Sequence, residues 1–184
     1  PLQEAQWTEE QARILNASRI GGKLLNLSLT TARHPKMMES WNAFGRYVLT
    51  ESTLPRRDRE ILILRIGWLT RSDYAFGQHT IVARWIGMSP EEIERITKGP
   101  DAPGWTPFES FLIRAADELH ADAFITDGTW QGLSAVYNEK QLMDLVMTVG
   151  QYSTVCMLTK SLGVQREPGV PGFSVETQEK EKHP

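Results

Sequence analysis

Apolar residues recur at intervals of three and four along most of this chain, the spacing that aligns side chains on one face of an α-helix. Segments with this pattern are separated by Gly, Pro, Ser or Thr, and no stretch alternates apolar and polar residues over the length of a strand. We therefore predict a single all-α helical bundle over residues 1–166. The predicted helices span residues 9–20, 35–49, 56–69, 73–87, 90–99, 107–120, 127–138 and 139–162.

Capping residues support several of these boundaries. A Ser, Thr or Asn followed three residues later by Glu or Gln can satisfy the free N–H groups of a first helical turn, and this pattern occurs at Thr8, Ser89, Thr106 and Asn138. From Glu167 onward the sequence is interrupted by Pro and Gly, then becomes charged, and has no apolar period. We predict that residues 167–184 form an extended tail.

The helices predicted at 56–69 and 73–87 organise the chain. The first is apolar around nearly its whole circumference, which indicates burial on most sides, yet it contains Glu60. The second contains His79 among Ala75, Phe76 and Ala83 on one face. If the two helices form an antiparallel hairpin, Glu60 and His79 lie at similar heights and can meet.

A carboxylate paired with one ring nitrogen fixes the tautomer of a histidine and leaves the other nitrogen free to transfer a proton. The predicted pair of Glu60 and His79 therefore suits general acid–base catalysis. The residues alone leave a second interpretation open, because an isolated histidine on an apolar face is more often a satisfied core residue than a catalyst.

Composition excludes several other classes of function. A net charge of −3 with interspersed charges offers no basic face for nucleic acid. No apolar run approaches the roughly 20 residues of a membrane span, and the first residues lack a signal-peptide pattern, so we expect a soluble, cytoplasmic protein.

The single cysteine, Cys156, lies in an apolar helical run. Neither a metal-ligand cluster nor a nucleotide-binding loop is evident, so we expect no metal and no cofactor.

The ordered set of motifs resembles the carboxymuconolactone decarboxylase and alkylhydroperoxidase D superfamily. The motifs are Arg59 to Leu64, Leu69-Thr70, Asp73-Tyr74, Gln78-His79, Ala116 to His120, Ile125 to Trp130 and Val149 to Tyr152. The likeness covers about Pro35 to Gln165. It implies an all-helical subunit that assembles as homotrimers or homohexamers, with its site around Glu60 and His79.

Two departures from the superfamily pattern narrow the chemistry. The peroxidase branch carries a Cys-x-x-Cys-x-x-x-His motif, and the matching residues here are Ser72, Ala75 and His79. A hydroxyl and a methyl group cannot cycle through thiolate and disulfide, which excludes thiol peroxidase chemistry. Decarboxylase-like members often have an acidic residue at the position of Ala75, so the resemblance does not fix lactone decarboxylation as the reaction.

We therefore predict a cofactor-free acid–base enzyme, a decarboxylase or a related carbon–carbon lyase or isomerase, acting on a small organic acid, lactone or aromatic-derived compound. His79 would be the general acid or base, Glu60 would orient it, and Tyr74 would donate a hydrogen bond to an enolate-like oxygen. The predicted substrate-binding residues are Ser72, Asp73, Phe76, Trp41 and Phe44. The alternative is a non-catalytic relative that binds a small molecule or serves assembly, which the alanine at position 75 favours.

Overall fold

A computed structural model describes residues 1–173, and the remaining predicted tail, residues 174–184, lies outside the described part. The described residues contain α-helices and no strand, which confirms the predicted all-α fold. The helices are α1 (Glu9–Ala17), α2 (Asn26–Thr31), α3 (Pro35–Arg46), α4 (Arg56–Leu69), α5 (Asp73–Trp85), α6 (Pro90–Lys98), α7 (Pro107–Asp122), α8 (Asp127–Ser134) and α9 (Glu139–Ser161). A short 3-10 turn, Glu4–Gln6, precedes α1, and a π turn, Tyr47–Glu51, extends α3.

The predicted capping boxes form at the starts of α1, α6, α7 and α9, where each cap side chain accepts an N–H from the third helical residue. Several helix ends differ from the prediction by one to four residues, and one short helix was not predicted. Helix α1 ends at Ala17 because a bridge between Ile20 and Lys23 closes a turn over Gly21 and Gly22, both at positive φ. Helix α2 has no predicted counterpart, because its six residues are too few to show a helical period.

Helix α4 lies at the centre of the main core and packs against α5, α6, α7 and α9. This explains its apolar circumference, since a helix with neighbours on all sides has no wet face. The fully enclosed residues Ile61, Leu62, Leu64 and Ile66 form the middle of this core. Polar groups on α4 are consequently removed from water and must find partners inside the protein.

The described part of the predicted tail lies along α5. Its Phe173 packs against Trp68 and Phe76, with ring centroids 5.4 Å and 5.3 Å away. The approach is close enough to require glycine at position 77, because a Cβ there would lie 2.1 Å from the carbonyl oxygen of Pro171. The tail is therefore part of the packed structure at least as far as Phe173.

None of the described helices is long and apolar enough to cross a lipid bilayer.

Candidate active site

A tight turn aligns α4 and α5 as an antiparallel pair. Helix α4 ends at Thr70, Arg71 takes a left-handed conformation with φ of 55°, and the Ser72 side chain caps α5. The helices approach closely at Gly67, where an added Cβ would lie 3.2 Å from the backbone nitrogen of Phe76. This turn carries α5 back along α4 and brings His79 to the level of Glu60.

The predicted contact between Glu60 and His79 is present. His79 Nδ1 lies 2.6 Å from Glu60 Oε2, with the glutamate completely buried and the histidine 9% exposed. A carboxylate in this position accepts the Nδ1–H and selects the tautomer whose Nε2 carries a lone pair. Nε2 makes no hydrogen bond to any residue of the described chain, so the pair has a nitrogen available for a ligand.

Tyr152 on α9 packs against His79. Its ring meets the His79 ring edge-on, with centroids 4.7 Å apart and an interplanar angle of 86°. Burial raises the pKa of the Tyr152 phenol well above its ordinary value, and the negative charge of Glu60 raises it further. Tyr152 is therefore a neutral hydrogen-bond donor at neutral pH.

Arg59 contributes a cation to the same cluster. Its Nε lies 3.5 Å from Glu60 Oε1, beyond hydrogen-bond geometry but within ion-pair distance. Within residues 1–173, four side-chain nitrogen or oxygen atoms are sealed, that is, shielded from solvent, and have no hydrogen-bond partner. They are Trp7 Nε1, Arg59 Nε, Glu60 Oε1 and Thr148 Oγ1. Two of these four belong to this ion pair, which makes the cluster an exception to the usual pairing of buried polar groups.

Sequence reasoning named neither Tyr152 nor Arg59 as a site residue. Thr148, Gln151, Tyr152 and Thr159 recur at helical spacings in the sequence, and the structure shows that this side of α9 is buried. Arg59 is the neighbour of Glu60 in a helix that is apolar on most sides. A second charge beside a buried carboxylate is itself an indication of a polar centre.

Tyr74 lies apart from the cluster. Its hydroxyl donates to Glu167 Oε1 at 3.0 Å and accepts the Leu27 N–H at 3.3 Å. Burial raises the pKa of Tyr74 above its ordinary value, and the charge of Glu167 adds to the effect. The phenol that contacts His79 is Tyr152, so the structure does not bring Tyr74 together with Glu60 and His79.

Asp73 also faces the tail. Its two carboxylate oxygens accept the Phe173 N–H at 3.0 Å and pair with Arg166 Nε at 2.6 Å. Asp73 and Tyr74 line a groove of about 410 Å³ together with residues 164–167, 169 and 170. This groove belongs to the contact between α5 and the tail, and its lining includes neither Glu60 nor His79.

The other predicted binding residues occupy packed positions. Ser72 is fully buried, with its hydroxyl 3.1 Å from that of Thr159. Phe76 is fully buried in the aromatic cluster with Trp68 and Phe173. Trp41 and Phe44 pack onto the main core from α3, and the Trp41 indole N–H donates to Gln151 on α9 at 3.1 Å.

The lone cysteine, Cys156, is also enclosed in the core. Burial raises the pKa of its thiol, which disfavours the thiolate that nucleophilic sulfur chemistry needs.

Residues 35–118 match the sequence profile of the carboxymuconolactone decarboxylase family, a segment that includes Glu60 and His79. No curated protein matches the sequence significantly. The fold is similar to that of an uncharacterized peroxidase-related protein from Ralstonia eutropha with an alkylhydroperoxidase AhpD core, at 16% identity, a TM-score of 0.76 and 91% coverage of both chains.

Two further solved structures have the same fold. A peroxidase-related protein from Silicibacter sp. matches with 15% identity and a TM-score of 0.76, over 90% of this chain and 88% of that one. A variant of the debrominase Bmp8 in complex with 2,3,4-tribromopyrrole matches with 12% identity and a TM-score of 0.73, over 91% of this chain and 90% of that one. At these identities the likeness shows the fold.

Proposed function

Because this chain belongs to the carboxymuconolactone decarboxylase and alkylhydroperoxidase D-like superfamily, we propose that it is a cofactor-free acid–base enzyme. It would act on a small organic acid, lactone or aromatic-derived compound, by decarboxylation or a related lyase or isomerase step. The observation that carries the proposal is the 2.6 Å contact between the buried Glu60 carboxylate and His79, whose second nitrogen is unbound.

The proposed step is a proton transfer at carbon. His79 Nε2 takes a proton from a carbon next to a carbonyl group, the bonding electrons move to the carbonyl oxygen, and the imidazolium returns the proton at the same or another carbon. Glu60 stabilises the imidazolium through Nδ1–H. The Tyr152 ring contacts His79, and its neutral hydroxyl would supply the hydrogen bond to developing enolate charge that the sequence analysis assigned to Tyr74.

Solvent deuterium exchange tests this proposal without knowledge of the product. The protein is incubated in D2O with a panel of small carboxylic acids, lactones and phenolic acids, and deuterium at carbon is followed by mass spectrometry and NMR. We expect incorporation into at least one panel compound, and a loss on the order of a hundredfold or more in His79→Gln. The matched control is His120→Gln at an exposed position, which should exchange like the wild type.

The results separate the two candidate functions. Exchange that survives in His79→Gln removes His79 from the chemistry. If the wild type exchanges none of the compounds yet binds one of them, the alternative of a non-catalytic binding protein is favoured. The methyl group at Ala75 and the fully buried hydroxyl of Ser72 support that alternative, since neither offers a reactive group beside the histidine.

We further propose that copies of this chain associate through the outer face of α9, as homotrimers or homohexamers. Met143, Val146, Met147 and Met157 lie on this face with 36–67% of their surface exposed. Apolar side chains at spacings of three and four on an exposed face are typical of a contact surface. A Met147→Lys variant should lower the molar mass measured by light scattering. An unchanged mass would place any contact elsewhere.

A further inference from the structure

We propose that Arg59, together with the hydroxyl of Tyr152, forms an anion-binding subsite that selects ligands with a carboxylate group next to the carbon that His79 deprotonates. This inference rests on the proposed function and narrows its substrate class. Arg59 is a buried cation that forms no hydrogen bond within residues 1–173.

A comparison within α4 shows what is unusual about Arg59. Arg65, six residues later on the same helix and equally buried at 7% exposure, has hydrogen-bond partners inside the protein. Its guanidinium forms two hydrogen bonds to Asp117 and donates to the carbonyl oxygens of Ile96 and Thr97. The fold can therefore supply acceptors to all three guanidinium nitrogens of a buried arginine on this helix.

Arg59 has no such partners. It is 7% exposed, and its one ionic neighbour among residues 1–173 is Glu60, whose nearest oxygen lies 3.5 Å from Nε. Of its five guanidinium N–H donors, the one on Nε is sealed from water without a partner, at a cost in free energy, and the four on the outer nitrogens have no acceptor within residues 1–173. A ligand that accepts these hydrogen bonds would remove that cost.

The other unpaired polar atoms of the cluster are not sealed from solvent. The outer nitrogens of Arg59, the Tyr152 hydroxyl and His79 Nε2 form no hydrogen bonds within residues 1–173, and none of them is among the sealed unpaired atoms. Each therefore reaches accessible surface from a side chain that is 5–9% exposed. They belong to one cluster, because Arg59 and His79 both approach Glu60 and Tyr152 contacts His79.

The chemistry of these groups favours an anion with oxygen acceptors. Arginine binds carboxylates through two parallel N–H bonds, and a neutral phenol adds a third donor. The charge of Glu60 opposes that of Arg59, so the cluster becomes net positive when His79 carries a proton. A carboxylate bound there would hold the adjacent carbon near His79 and leave the histidine free to react.

Benzoate and its neutral analogue benzamide are suitable probes, measured by calorimetry with the full-length protein. We expect the wild type to bind benzoate at least about tenfold more tightly than benzamide, because the charge-assisted pair is absent for the amide. Arg59→Met should lose this preference by weakening benzoate alone. Arg59→Lys, which keeps the charge but not the planar fork, should retain part of it. The control Arg84→Met, at an exposed position on α5, should bind like the wild type.

Several outcomes overturn the subsite: no benzoate binding to the wild type, equal binding of the two probes, or an unchanged preference in a folded Arg59→Met or Arg59→Lys variant. Circular dichroism establishes that the variants fold. The deuterium exchange result is independent of this one. If deuterium exchange depends on His79 but benzoate binding does not depend on Arg59, the subsite alone is refuted. If benzoate binding depends on Arg59 but no compound exchanges deuterium, the enzymatic function alone is refuted.

Discussion

Replacing Glu60 by Gln tests whether the centre of this fold contains a buried ion pair. The substitution keeps the shape of the side chain and removes its charge. Glu60 is completely buried, with Arg59 Nε 3.5 Å from one oxygen and His79 Nδ1 2.6 Å from the other. After the change, the arginine remains enclosed without a counter-charge, and the histidine keeps at best a neutral hydrogen bond.

The expected loss of stability follows from these distances. Two unit charges 3.5 Å apart attract by about 5 kcal/mol at an effective dielectric constant of 20. Breaking a buried pair typically costs about 3–5 kcal/mol, because one charge remains uncompensated. The outer nitrogens of Arg59 reach accessible surface and recover part of their hydration, which places Glu60→Gln near the lower limit, about 3 kcal/mol less stable than the wild type.

Urea unfolding at one protein concentration measures the difference in the free energy of unfolding between Glu60→Gln and the wild type. A double variant tests whether the loss comes from the unpaired charge of Arg59. Arg59→Met with Glu60→Gln removes both charges, so we expect it to regain at least about 2 kcal/mol relative to Glu60→Gln alone. The exposed Glu139→Gln should change stability by less than about 0.5 kcal/mol. A Glu60→Gln protein as stable as the wild type, or a double variant that regains nothing, would refute the buried ion pair.

Three further predictions concern the scaffold. Asp144→Asn should cost about 1–2 kcal/mol, since this carboxylate accepts hydrogen bonds from Tyr47 at 2.6 Å and Thr53 at 2.7 Å. Burial by itself would raise the pKa of Asp144, but these hydrogen bonds outweigh it and lower the pKa. The stabilisation is therefore present above about pH 4 and lost as the pH falls through the folded-state pKa. A stability deficit of Asp144→Asn in urea unfolding that does not shrink in acid contradicts this. Gly77→Ala should displace the tail, because its Cβ would meet the Pro171 carbonyl oxygen, and an unchanged rate of tryptic cleavage after Arg166 would speak against that contact. Cys156 should react with a thiol reagent at least about a hundredfold more slowly in the folded than in the unfolded protein, and rapid labelling of the folded protein would contradict its enclosure.

The Glu60–His79 contact could be predicted from the sequence because both residues belong to one local hairpin. The apolar circumference of α4, the turn at Thr70 to Ser72 and the lengths of the two helices fix their relative height. Tyr152 could not be predicted in the same way, because its position depends on the register of α9 against that hairpin. This register is set by core packing between segments more than seventy residues apart in sequence, which no local pattern encodes.

The polar contacts of the tail could not be predicted from the sequence either. Its composition gives no apolar period, yet Glu167 accepts hydrogen bonds from Tyr74 and from the backbone of Asn26. The partner of Tyr74 is thus a residue that the sequence assigned to an extended segment. The resemblance to the superfamily predicted Tyr74 as a catalytic residue, but its side chain lies five positions from His79, which is nearly the opposite direction on a helix with 3.6 residues per turn.

The contrast between Arg59 and Arg65 bears on why the centre of α4 is polar at all. A core of this size would be as stable or more stable with apolar residues of similar volume in place of a buried ion pair. All three guanidinium nitrogens of Arg65 donate to carbonyl oxygens or a carboxylate, so the lack of partners for Arg59 is not forced by the fold. Local departures from the rules of core construction concentrate at functional sites, where binding compensates for them. We therefore attribute the unpaired donors around Glu60 to the proposed anion-binding subsite, next to the histidine that Glu60 contacts.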